Sequence, residues 1–502
     1  MTERTIDTQV AVIGSGPGGA EVAIQLARRG IQVTVLESGL DSFDPFANAL
    51  NDAEFVGRRH RNADTPEQFQ QYLPADYKGL NRVREFGGTG NTWTGKWRFF
   101  SREDVARRPW VPHSGWPIAY EELDATYREV IAAYGLQLGA EHPRDPSLVR
   151  GARAFTDAGF GVVEYYNQDK TYRSKDALCA AEGPGLSVVL DATAVRLTLD
   201  ASGSRLAEVT CKGRSGDDLT VRCQHAVLAT GGLETPRILL SNTHQRPDGL
   251  GNGHDLVGRF LQDHPKIQNA ELAPGPLLRR HNRAVQLLRA PRRCLCLAPG
   301  APDRRKHELL DTAVFIKAKY QSLQDVLANR LGGEPIMIDG TKCWTRFSVT
   351  YASEQAPNPD SRITLSNSPD ALGVPRMQVD WRFTDLDRRS FTQSAELLAR
   401  RFRETGIGVI DYGQGESAEL EDSMDAAHHI GTTRMGAHPR EGVVDVNCTL
   451  FDVPNLHVAS SAVFPTGISY SPTMTIVALA RRLAGHIDRQ LAVPAVATAA
   501  VG

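Results

Sequence analysis

The sequence predicts an α/β protein: a doubly wound, Rossmann-like nucleotide-binding sheet beside a second, sheet-plus-helix (α+β) domain. Three observations predict it. The first fifty residues read as strand, glycine turn, helix and strand. A buried apolar run ending in glycines, His225 to Gly232, returns much later as a further strand of the same sheet. Period-two segments elsewhere suit antiparallel strands.

The first stretch carries the most specific signal. Val10-Ala-Val-Ile13 leads into Gly14, Gly16 and Gly19, which is G-x-G-x-x-G; an amphipathic segment, Ala20 to Arg29, follows. After Gly30 a β-branched run, Ile31 to Leu36, ends at Glu37. Gly14 serves the tight turn, Gly16 lets backbone N–H groups approach a pyrophosphate, and Gly19 lets helix and strand pack closely. The helix N-terminus adds unpaired N–H groups and a partial positive charge. Glu37 stands 18 residues after Gly19. An acidic side chain there can hold ribose hydroxyls and would repel a 2′-phosphate, which disfavours NADP. The motif alone does not separate FAD from NAD. A glycine-rich turn that binds nothing is the bland alternative.

The remaining elements follow in order. Residues 40–80 are polar and loop-rich. Arg84 to Trp97 holds a glycine run and two tryptophans, a loop forced close to something flat; a packed structural turn is the alternative. A helix starts near Tyr120, and 137–172 resists assignment. Segments 188–199, 206–210 and 219–223 alternate and read as antiparallel strands. The strand at His225 runs into a helix over Leu233–Leu240, with a proline in its first turn. From 266 the composition shifts. The stretch 278–306 is rich in Arg and Pro and reads as solvated surface or loop, not as a nucleic-acid or membrane contact. Thr345–Tyr351, Arg362–Leu365 and Met377–Trp381 read as strands of the second sheet, and Asp385–Thr405 as a long amphipathic helix. Beyond 425, Asn455–Val458 and a closing helix, Met474–Leu491, return to the first domain. The expected division is 1–120, 175–265 and 425–491 for the nucleotide domain and 121–174 with 266–424 for the substrate domain. Residues 492–502 are expected to form a frayed tail.

Composition narrows the function classes. At 502 residues, two domains are expected. A net charge of −2 gives no global pull toward nucleic acid or membrane. There is no run of 18 apolar residues, and the N-terminus lacks an apolar signal core, so a cytoplasmic enzyme is expected. Seven cysteines without framework spacing suggest reduced thiols. Cys294-Leu-Cys296 is not Cys-x-x-Cys, and no metal site is expected.

Taken together, the glycine turn, the Gly-Gly-Thr-Gly-Asn-Thr-Trp loop at 87–93 and the His428-His429-Ile-Gly-Thr…Pro-Thr…Pro-Thr tail resemble the glucose–methanol–choline (GMC) flavoprotein oxidoreductases. The resemblance covers the first 120 residues, about 220–265 and 425–491, in the family's order. It implies FAD as the dinucleotide, a discontinuous FAD domain beside a substrate domain, and alcohol oxidation with hydride transfer to flavin N5. The tail is most similar to pyranose oxidases and bacterial glycoside 3-oxidases. The implied cofactor-binding residues are Gly14, Gly16, Gly19, Glu37, Gly88, Thr89, Asn91, Thr92, Trp93, Val195, Thr230, Gly231, Ser460, Pro472 and Thr473. Three positions depart from the family. Thr92 stands where fungal pyranose oxidases carry the His that attaches FAD, so the FAD is expected to be non-covalent. Ser471 replaces the usual Asn or His, and Ser460 replaces a common Asp.

Oxidising a secondary alcohol removes a hydroxyl proton and a carbon-bound hydride. A neutral imidazole suits the first task, and His428 stands at the family's base position. His429 is the alternative; on a strand the two would face opposite ways, and His429 fits a core histidine better. Ser471 is expected to hold the substrate hydroxyl, or else to cap the following helix. Asp263 and His264 read as structural or as cavity lining. The expected reaction is FAD-dependent oxidation of a sugar-ring hydroxyl, at C3 of an O- or C-linked glucoside, to a ketone, with O2 reduced to H2O2. The alternatives are a dehydrogenase using a quinone or carrier, and pyranose 2-oxidase regiochemistry. The expected partners are therefore a small sugar or glycoside and an electron acceptor. A non-catalytic flavin carrier is disfavoured by His428 and by the substrate-sized second domain.

Overall fold

The computed structural model describes residues 4–57, 82–93, 95–136, 153–168, 171–275, 289–290, 293–320, 336–338, 341–343, 345–412 and 419–492. Residues 58–80 of the expected loop at 40–80, and 493–502 of the expected tail at 492–502, lie outside them.

Seven strands form the nucleotide sheet. Six run in the order Leu186–Val189, Val33–Leu36, Arg4–Ile13, Asp218–Leu228, Leu206–Lys212, Thr193–Leu199, and Leu456–Val458 joins Asp218–Leu228. The centre is parallel, with Val10 opposite both Val33 and His225, and Leu456 opposite Ala226. Val10 to Ile13 and Val33 to Leu36 are buried throughout, as a strand covered on both faces must be; hence their continuous apolar runs. Two expectations change here. Segments 219–223 and 225–230 belong to one strand, Asp218–Leu228. Its first half also pairs antiparallel with Leu206–Lys212 and is half-solvated, which is why the alternation fades at His225. Leu186–Val189 is parallel to Val33–Leu36, not antiparallel to its successor.

Helix Gly231–Ser241 starts on its own glycines, so Pro236 falls past its first turn. A proline there leaves the Gly232 carbonyl without its helical N–H. Thr432 Oγ1 donates to that carbonyl instead, at 2.5 Å. Helices Pro17–Ala27 and Tyr120–Ala133 both pack against the closing helix Thr473–Ala492. Leu123, Tyr127 and Val130 lie in the same core as the nucleotide sheet, so Tyr120–Ala133 packs with the first domain.

The second sheet is antiparallel: Gly408–Asp411, Lys266–Pro274, Thr345–Ser353, Thr312–Tyr320, Arg293–Pro299, Phe160–Asn167, Lys96–Trp97, with Arg289–Ala290 hairpinned onto Arg293–Pro299. Arg293–Pro299 corrects the surface reading of 278–306. Its middle, Cys296 to Ala298, is buried, and the flanking arginines hid it. Helix Asp385–Glu404 lays Phe391, Ala395, Leu398 and Phe402 on this sheet. Its capping box pairs Thr384 with Asp387, satisfying two N–H groups at its start. Arg362–Pro369 and Pro375–Asp380 do not join the second sheet. They form a third with Ala53–Phe55, and Ile363, Met377, Val379 and Trp381 pack on Leu233 and Leu261. Among the described residues no helix is long and apolar enough to cross a membrane.

Two imidazoles meet inside the nucleotide sheet. His225 Nδ1 lies 3.1 Å from His457 Nε2, and His457 Nδ1 lies 2.9 Å from Thr449 Oγ1. Burial pushes His225 down to about 4 and His457 well below the ordinary imidazole range. The unfolded chain takes up these protons as pH falls below ~6.5, and the native state does not. The stability they contribute is full above that pH and is lost on descent toward about 4. The slope is up to ~1.4 kcal/mol per unit for each ring. The melting temperature should therefore fall by several degrees between pH ~7.5 and ~5. A flat profile would contradict this.

Candidate active site

The three motif glycines divide the labour. Gly14 takes a φ of 101°, in the left-handed region. A Cβ at Gly19 would stand 2.0 Å from the Gly14 carbonyl oxygen, so strand and helix touch there. A Cβ at Gly16 would meet nothing within 4 Å, and that open side faces the cavity. Glu37 closes the same end. Its carboxylate accepts from Ser15 N at 3.1 Å, from the Ser15 hydroxyl, and from Gly39 N at 2.9 Å. Burial raises its pKa, opposed by these bonds. The Ser15 hydroxyl oxygen also accepts from Gly87 N at 2.7 Å, which docks the tryptophan loop on the glycine turn. That loop then enters the second sheet as strand Lys96–Trp97. Behind it, Arg82, Arg84 and Arg237 converge on Glu234 at 3.2, 2.9 and 2.9 Å and hold its carboxyl well below the usual range against burial.

A cavity of about 280 Å³ joins these parts. Of the expected residues, Gly14, Gly16, Glu37, Gly88, Thr89, Thr92, Trp93, Thr230, Gly231, His428, Ser471, Pro472 and Thr473 line it. Four others do not. Gly19 is the packing contact. The amide of Asn91 donates to Glu85 Oε1 and to the Phe86 carbonyl, bracing the loop from within. Val195 sits at an irregularity of strand Thr193–Leu199. Ser460 Oγ accepts from Ala462 N, and its neighbour Ser461 is on the wall instead. Lys266 and Tyr470 also line the cavity. Neither carries a sequence signal, because each lies where a loop or strand merely ends against the cavity.

His428 is half-buried on the wall. Its ring stands edge-on to His264 and Tyr470, with centroids 5.2 and 5.5 Å away. Burial, then the nearby His264 and Lys266, hold its pKa well below the ordinary value, so the imidazole is neutral. His429 is buried, and its Nε2 turns toward Asp263 Oδ2 at 3.7 Å. Burial, with Lys266 and Arg98 nearby, brings His264 down to about 3. Ser471 does not wait free for a substrate: its hydroxyl donates to the Lys96 carbonyl at 2.7 Å. What it can offer the cavity is an acceptor lone pair. The segment bearing Tyr470 and Ser471 is anchored from below. Asp311 Oδ2 accepts from Ser469 N at 3.0 Å, and Arg98 donates to both Ser469 Oγ and Asp311.

The residues fit a bound dinucleotide. A side-chain-free glycine face, the N–H groups of a helix start and a fixed carboxylate stand at one end, and a neutral imidazole stands at the other. Such a site defines a dinucleotide-dependent oxidoreductase.

Comparison with known proteins makes this specific. Two "GMC oxidoreductase" family models match residues 124–266 and 357–480, together more than half of the chain, and an "FAD binding domain" model matches 7–44. The 2-methyl-1,2-propanediol dehydrogenase of Mycolicibacterium austroafricanum is 25% identical over 98% of this chain and 97% of its own. A C-glycoside 3-oxidase of Microbacterium trichothecenolyticum is 26% identical over 60% of this chain and 54% of its own. The crystal structure of pyridoxine 4-oxidase from Mesorbium loti superposes with a TM-score of 0.58 at 19% identity, covering 96% of this chain and 99% of that one. The chain belongs to the GMC oxidoreductase family. It is an FAD-dependent oxidoreductase that acts on CH–OH groups.

Proposed function

We propose that this enzyme oxidises a secondary hydroxyl of a sugar or glycoside, at C3 of an O- or C-linked glucoside, to the ketone. O2 is the acceptor: one carbinol and one O2 give one ketone and one H2O2. The observation that carries the reading is the neutral imidazole of His428 on the wall of the cavity that the glycine turn opens. Gly16, the first turn of helix Pro17–Ala27 and Glu37 would hold the pyrophosphate and ribose. Thr89, Thr92, Trp93, Thr230, Gly231, Pro472 and Thr473, which line the same cavity, would border the ring system. Bound FAD would supply an electron-poor ring as the hydride acceptor. His428 takes the hydroxyl proton at the nitrogen facing the cavity. Ser471 accepts from a substrate hydroxyl, since its own proton is committed to Lys96. A second acceptor reading, a quinone or carrier in place of O2, has support from the nearly full-length match to a dehydrogenase.

The test is a panel of glucose, a phenyl glucoside and a C-glucoside, assayed for peroxide and for ketone, with the keto position read by NMR. A 3-ketoglycoside with stoichiometric peroxide is expected. A 2-keto product would contradict the regiochemistry, and ketone formed only with an added quinone would replace the acceptor. FAD is held without a covalent bond, because Thr92 offers no imidazole, thiol or phenol. Acid precipitation should leave FAD in the supernatant; flavin retained in the washed pellet would contradict this.

A further inference from the structure

Behind the wall that carries His428 the chain crosses itself. Segment 424–430 lies over segment 262–266, and backbone pairs clamp both ends. Gln262 and Ile430 exchange N–H···O bonds of 3.1 and 3.0 Å, and Lys266 and Met424 exchange two of 2.8 Å. The middle cannot pair this way. Ala427 takes a φ of 56°, a left-handed conformation that costs a non-glycine residue roughly 1–2 kcal/mol. The bend instead hangs on one side chain. Asp263, fully buried, accepts at Oδ1 from the N–H of His264 at 2.6 Å, of His428 at 3.1 Å and of Ala426 at 3.3 Å. Its own N–H donates to Gln355 Oε1 at 3.0 Å, so the carboxylate is fixed from behind. Its Oδ2 is 3.7 Å from the Nε2 of His429, which also borders the cavity.

We propose that Asp263 is a positioning residue for alcohol oxidation: it holds the 426–428 bend that aims His428 at the cavity, and supplies the negative charge beside an imidazole that turns cationic. The inference rests on His428 as the proton acceptor.

The charges around the bend require such a group. His428 is faced by Lys266, by Lys96, and by the rings of His264 and His429. Arg98 and Asp311 reach His264 from the far side. Asp425, on the bend itself, is pushed well above the carboxylate range by burial and by Asp263, so the two carboxyls do not both ionise readily. Asp263 is raised to about 6 by burial, opposed by its three N–H bonds and by Lys266. It is the better placed of the pair to carry the charge when His428 accepts a proton.

The test is anaerobic stopped-flow reduction of the FAD-loaded enzyme by a phenyl glucoside across pH, for wild type, Asp263→Asn and His428→Ala. Asp263→Asn should keep its FAD and bind substrate within ~3-fold, but reduce flavin ~10²-fold more slowly, the size seen for small misplacements of a reacting group. Its acid limb should also move to lower pH, because losing the carboxylate makes the imidazolium harder to form. A wild-type rate, or a slower rate with an unmoved acid limb, overturns the proposal; the second result is what a merely structural role gives. If Asp263→Asn does not retain FAD, Asp263→Glu decides, since it keeps the charge and displaces it. A lower rate with the acid limb moved to lower pH, because the displaced charge supports the imidazolium less, supports the proposal; an unchanged rate or an unmoved limb overturns it. A full-rate His428→Ala enzyme removes the base assignment itself, which separates that failure from this one.

Discussion

Replacing His428 with alanine is expected to leave FAD bound and to slow flavin reduction by about 10²-fold or more, the usual range for removing a positioned acid–base group. Retention of FAD follows from the structure. The ring stands on the wall, and its buried Nδ1 makes no hydrogen bond, so no bond that shapes the cavity is lost with it. The bend survives too, because Asp263 grips the backbone N–H of residue 428 and not its ring. His429→Ala should differ: that ring lies beside Asp263, and its loss should affect stability more than the limiting rate. If His429→Ala abolishes reduction while His428→Ala does not, the two imidazoles have exchanged roles.

The second large effect is a contrast between two glycines three residues apart. Gly19→Val should prevent normal folding. Its first added carbon would stand 2.0 Å from the Gly14 carbonyl oxygen, and backbone cannot swing aside as a side chain can. The cost should exceed the ~1–3 kcal/mol of ordinary overpacking. Gly16→Val adds its side chain to open space on the cavity side. That variant should fold, with an apo melting temperature within a few degrees of the parent. It should bind FAD about 100-fold more weakly, equivalent to ~2.7 kcal/mol. Equal loss of folding in both variants, or unimpaired FAD binding by Gly16→Val, would contradict the division of roles.

The nucleotide turn was legible because each glycine answers a backbone constraint that nothing but sequence position encodes. The same holds for helices Asp385–Glu404 and Thr473–Ala492, whose apolar stripes and starting residues fix them. The third sheet was not legible. Its partner strand Ala53–Phe55 is three residues long and lies some three hundred residues upstream, so alternation in Met377–Trp381 could not say which sheet it joins. Strand Arg293–Pro299 was masked by the arginines around a short apolar centre. In the site, His428 and the tryptophan loop were readable as motifs. Asp263 was noted in sequence only as structural or lining, because its work is done on backbone N–H groups, which any residue type supplies. Lys266 and Tyr470 reach the cavity only through tertiary placement. For Ser471 the sequence offers a substrate contact or a helix cap, and only the fold shows its proton spent on Lys96.

The most direct test of the central claim is anaerobic titration of the FAD-loaded protein with glucose, a phenyl glucoside and a C-glucoside, following the visible flavin absorbance. The account predicts full bleaching by at least one of them, with one ketone formed per flavin and no bleaching on that timescale in His428→Ala. Flavin that stays oxidised with every sugar and glycoside, or that bleaches equally fast without the imidazole at 428, would contradict it.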